Sequence, residues 1–177
     1  MTEHIPGEAE EGPGRVDLKL LGTYLVDHVT GATVGLNRVE RMADAYEGTF
    51  VGDALAPFVG QFEHEREWLV QTTEGLGVHI SRYKVVGAFV AERLGRLKPN
   101  GRIVSTSPLS ALLEVELLRS AILGKLSGWE TLESVAPHLD VDASHLPFLQ
   151  DQAREQIDVL TRVLRGLRPN SLLRPLD

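Results

Sequence analysis

Four polar residues interrupt apolar stripes along this chain at helical spacing: His28, Glu65, Glu116 and Gln156. Each falls where a stripe of every third or fourth residue turns toward a core. A polar group buried there without a partner costs roughly 1–3 kcal/mol, and more if it is charged. Four such groups at matching heights predict a shared polar layer inside a helix bundle. Two chemistries suit that layer. In the first, His28, Glu65 and Glu116 hold a single Fe, Mn or Zn ion, with Gln156 or water completing the shell. In the second, the layer is a closed hydrogen-bond network. Protonated His28 pairs with one glutamate, Gln156 donates to another, and a proton shared between carboxylates stands in for a metal.

Rival clusters are weaker. The run Glu63-His64-Glu65-Arg66-Glu67 resembles a metal motif, but adjacent residues do not share a helix face, so Glu63, His64 and Glu67 read as solvated. Asp140, Asp142, Ser144 and Asp151 faintly echo a calcium loop. His145 stands at the position that needs glycine and Pro147 interrupts the pattern, so helix capping accounts for them better. Asp27-His28 could orient a base, yet no nucleophile elbow accompanies it, and phosphate-binding glycine fingerprints are missing from the sequence. Tyr24, Trp68 and Trp129 read as packing residues. With no cysteine, disulfides, thiolate zinc sites and iron–sulfur clusters are excluded.

Four segments must position the layer. The first spans about Asp17 to Tyr46, with Leu21, Leu25, His28, Ala32, Gly35, Val39 and Met42 inward, and Gly48 stops it. Its Gly22, Gly31 and Gly35 imply close helix approach. The second spans about Gly52 to Leu76, with Leu55, Phe58, Phe62, Glu65 and Leu69 inward. Pro57 fits only near its start, and Gly77 is a left-handed stop. The third opens at Ser107-Pro108, a cap followed by proline at the first helical position, and ends at Pro137. Its inward residues are Leu109, Leu113, Glu116, Ser120, Leu123 and Ser127, widened by Leu112, Ile122, Leu126 and Trp129. The fourth spans about Ser144 to Leu167, with Leu146, Leu149, Ala153, Gln156, Leu160 and Val163 inward. Residues 83–97 form a shorter helix in the long connection between the second and third segments, and 98–102 are turn chemistry.

The segments pair as two antiparallel hairpins. His28 and Glu65 are equidistant from the turn at Glu47-Gly48, and Glu116 and Gln156 are equidistant from residue 136, which brings both pairs near mid-bundle. The expected fold is all-α, an antiparallel four-helix bundle over 17–168. A disordered acidic tail occupies 1–16 and an irregular tail 169–177.

On these features the chain resembles the ferritin-like superfamily from about Leu18 to Leu167. The shared features are two hairpins, a long crossover and mid-helix carboxylates. The stretches YLVDHVTGA, RYKVVGAF and SPLSALLEVELL resemble those of uncharacterised bacterial members. In that superfamily a glutamate from each of two helices and a Glu-x-x-His from each of the others bind two metal ions. This sequence departs from the pattern. His28 replaces a glutamate, Trp68 stands where a histidine follows Glu65, Gln156 replaces a carboxylate and Val159 the second histidine. The resemblance thus implies an up-down-down-up bundle without two-metal oxidase chemistry. It acts through assembly or partner binding, as a homodimer packed along helix faces; the alternative is a mononuclear metal protein or oxidoreductase.

Composition narrows the setting. No apolar run is long enough to span a bilayer, and the acidic start MTEHIPGEAEEGPGR is the reverse of a secretory leader, which implies a cytoplasmic protein. A net charge of −7 argues against general nucleic-acid binding. Charge is uneven: residues 79–106 carry six basic side chains and one acid. That stretch is either a solvated crossover or a dock for an acidic partner.

Overall fold

The computed structural model describes residues 15–80 and 108–173. The acidic tail before Arg15, the expected helix at 83–97 and all but the first two residues of the basic stretch lie outside them. Four long helices make up the described residues: α1 (Leu18–Ala45), α2 (Phe50–Gly75), α3 (Pro108–Val135) and α4 (Leu146–Leu172), with no strand among them. A short 3₁₀ turn, Ala136–His138, follows α3.

Local chemistry sets the boundaries. Asp17 caps α1 by accepting from the amides of Lys19 and Leu20, and Thr49 caps α2 through the amide of Gly52. Gly48 and Gly77 take φ of 73° and 76° just beyond α1 and α2. α2 begins two residues before the expected Gly52, and Pro57 lies inside it. α4 likewise continues through Pro169 to Leu172, where irregular chain was expected, because Leu173 still donates its amide to the Pro169 carbonyl.

Packing joins α1 to α2 and α3 to α4 as hairpins, with α1 also against α3 and α2 against α4. Every neighbouring pair is antiparallel. Tyr46 and His28 of α1 meet Glu114 and Gly128 of α3, while Phe50 and Glu65 of α2 meet Gly166 and Gln156 of α4. Hence α2 and α3 run parallel across the diagonal, giving an up-down-down-up order. An arginine–threonine bond ties each hairpin: Arg66 Nε donates to Thr33 Oγ1 and Arg119 Nε to Thr161 Oγ1, both at 2.9 Å.

The buried stripe of α3 is Ala111, Val115, Leu118, Ile122, Trp129 and Leu132. The centre of the expected stripe faces outward instead, with Leu109, Leu113 and Leu123 at 42–52% exposure, although Leu112, Ile122 and Trp129, expected to widen it, are buried. α3 is apolar on two faces, and the bundle buries the one whose interruption is a single residue, Lys125. No helix among the described residues is long and apolar enough to cross a membrane.

Candidate functional site

Glu65 and Gln156 meet in the core, 2% and 1% exposed, as their shared height predicts. The cation beside them is Lys125, on α3. Its Nζ donates to Glu65 Oε2 and, at 2.6 Å, to Gln156 Oε1, and it sits 4.0 Å from the centroid of the Phe62 ring. Gln156 Nε2 donates to Glu65 Oε1 at 3.1 Å and to Gln61 Oε1 at 2.8 Å. Both ends of the amide are therefore used, and the ion pair bridges the α2–α3 diagonal. Burial pushes the Lys125 pKa below its ordinary value, while the charge and hydrogen bond of Glu65 oppose that shift.

His28 reaches the same region from α1. Its ring stands 4.4 Å from that of Tyr24 and lies over Gly128, where a Cβ would fall 2.8 Å from Cε1 and Nδ1. Burial lowers the His28 pKa, which favours the neutral imidazole, and adjacent Asp27 partly restores it. The protonated His28 of the network reading is thus replaced by Lys125 as the cation, whereas the amide-to-glutamate bond of that reading is present.

Glu116 does not join the layer. It is half-buried, and it lies nine residues before Lys125. Nine residues amount to a half-integral number of turns and about 13 Å of helix, so Glu116 faces away from Lys125. The registration error has a simple origin. The α3–α4 connection continues from Ala136 to His145, so its centre lies near residue 140 and not 136. The set His28, Glu65, Glu116 and Gln156 is therefore not assembled as a single-ion site. Among the described residues no three His, Asp or Glu side chains converge to hold an ion.

Lys125 went unread because α3 offered two stripes. The buried stripe, 111-115-118-122-125-129-132, repeats in strict steps of four and three with one polar member. The stripe chosen from sequence contained three polar residues, Glu116, Ser120 and Ser127. Counting polar members would have selected the right face.

Beside this network a cleft of about 480 Å³ opens between α1 and α3, with α2 as its floor. Its apolar walls include Leu25, Phe62, Leu69 and Ile122, and Tyr24, Asp27, His28, Glu65, Lys125 and Trp129 are its polar members. The buried indole N–H of Trp129 has no hydrogen-bond partner among the described residues. Opposed glycine pairs line the seam, Gly31/Gly35 on α1 and Gly124/Gly128 on α3. Gly35 lies under Phe62 and Gly128 under His28, whereas a Cβ at Gly31 or Gly124 would meet nothing within 4 Å. Close approach therefore explains Gly35 and Gly128 but not the other two. Tyr46 closes the far end of the seam by donating to Glu114 Oε2 at 2.9 Å. Burial, then its bond to Glu114, pushes its pKa up to about 12.

Comparisons of the chain with protein-family models, with curated proteins and with solved structures give no match.

Proposed function

We propose that this protein is a ferritin-like bundle that works by binding, and that the α1–α3 cleft receives a small, mainly apolar molecule. The up-down-down-up order of the four helices and the mid-helix polar layer support the ferritin-like reading. One observation carries the binding reading: Gly31 and Gly124 stand exposed on opposite sides of the cleft, where side chains would narrow it. A glycine inside a helix costs about 1 kcal/mol relative to alanine, and here no neighbour requires either one. Retaining both preserves volume. About 480 Å³ lies within the range of small-molecule sites.

The lining defines the ligand class: a mainly apolar body that matches Leu25, Phe62, Leu69 and Ile122. The cation of Lys125 is already shared between Glu65 and Gln156, so the site does not select for negative charge. An anilinonaphthalene dye, titrated by fluorescence, tests the site. The double variant Gly31→Leu/Gly124→Leu should lose at least ten-fold in dye affinity, about 1.4 kcal/mol, while still unfolding cooperatively. Unchanged affinity in that folded variant would remove the proposal.

Assembly is a second reading, favoured by the outer face of α3. Leu109, Leu113, Leu117 and Leu123 lie on it, each more than 40% exposed, and the 100° helical step puts them within about 120° of arc. A second copy packed on this face would bury them. Light scattering should give a dimer mass for the wild type and a monomer mass for Leu113→Glu/Leu117→Glu. A monomeric wild type at tens of micromolar rules this reading out.

A further inference from the structure

Within the run Glu63-His64-Glu65-Arg66-Glu67, Glu65 turns into the core and leaves His64 exposed on the outside of α2. There it meets His145, 81 positions further along, with the two Nε2 atoms 3.4 Å apart. His145 stands at the N-cap of α4, yet its side chain makes no capping bond. Its ring stacks on Phe148 at 5.1 Å and lies 6.0 Å from that of Trp68. Aromatic packing thus holds the ring of His145 in a position that helix capping does not use.

The spacing is informative. A hydrogen bond donated by an N–H group normally spans about 2.7–3.2 Å, so 3.4 Å is long for one imidazole donating to another. Two imidazole nitrogens on one tetrahedral ion, each at about 2.0–2.1 Å, stand about 3.3–3.4 Å apart. We propose that His64 and His145 form a site for a divalent transition metal of the zinc–copper class, clipping the middle of α2 to the start of α4. Imidazole nitrogen suits these ions. Water supplies the remaining positions. The site is independent of the α1–α3 cleft, which it does not border.

Thermal unfolding with and without Zn²⁺ tests the clip, together with the visible absorption of Co²⁺ as a probe of tetrahedral nitrogen ligation. The expected result is one Co²⁺ per wild-type chain and a Zn²⁺-dependent rise in Tm of about 5 °C, reversed by chelator. His64→Gln and His145→Gln should each abolish both signals, and His28→Gln should retain them. A wild type that responds only to millimolar metal, or not at all, overturns the proposal. So does a His64→Gln protein that responds like the wild type.

Discussion

Glu65 is stable in the core because the chain itself supplies its counter-charge. Removing one member of a buried pair typically costs about 3–5 kcal/mol, whereas replacing both with apolar groups of similar volume is often close to neutral. Lys125→Met should therefore lose about 3–5 kcal/mol in urea unfolding, because Glu65 would keep only the Gln156 amide as a partner. Glu65→Met/Lys125→Met should recover most of that loss. A double variant no more stable than Lys125→Met would show that Gln156 and Gln61 cannot close the site alone. His28 sets a pH dependence of defined sign. Its folded-state pKa lies below the ordinary 6.5 because of burial, with Asp27 in opposition. Above about pH 6.5 both states are neutral and the contribution is complete. As pH falls from there the unfolded chain takes up its proton first, so stability declines until the lower folded-state pKa is passed. Urea midpoints measured between about pH 7.5 and 5.5 should fall more steeply for wild type than for His28→Gln; equal slopes would contradict the burial of the imidazole.

Helix glycines divide into two kinds here, and substitution separates them. Gly31→Ala and Gly124→Ala meet no atom within 4 Å and should each stabilise by roughly 0.5–1 kcal/mol through helix propensity. Gly128→Ala drives a methyl to 2.8 Å from the His28 ring and should destabilise unless that ring moves. Thermal unfolding of the three variants checks the contrast. Sequence alone located the elements well where one face was apolar: Asp17, Gly48 and Gly77 punctuate α1 and α2 as composition implies. It failed where propensity and periodicity were both indifferent. α3 is apolar on two faces, so its inward side depends on what α1 and α4 bury, a tertiary choice. The extension of α4 past Pro169 is a second such case, in which packing overrides a local helix breaker.

Across the whole molecule, alternation of chain direction was readable because short turns at Tyr46–Thr49 and around Ala136–His145 force antiparallel hairpins. The registers were less readable. In the first hairpin Arg66 meets Thr33 and Phe62 meets Gly35, a centre near residue 49, so His28 and Glu65 are not level. In the second, a loop whose length is hidden in capping residues shifts every facing pair by twice its own displacement. That doubling put Glu116 where Lys125 belongs. The up-down-down-up order has one more consequence. Leu18 and Leu172 lie at opposite poles of the bundle, separated by about the length of one helix, roughly 40 Å. Fusion partners joined directly at Leu18 and Leu172 would therefore be held apart like loads on either end of a strut, with the bundle as a rigid spacer between them.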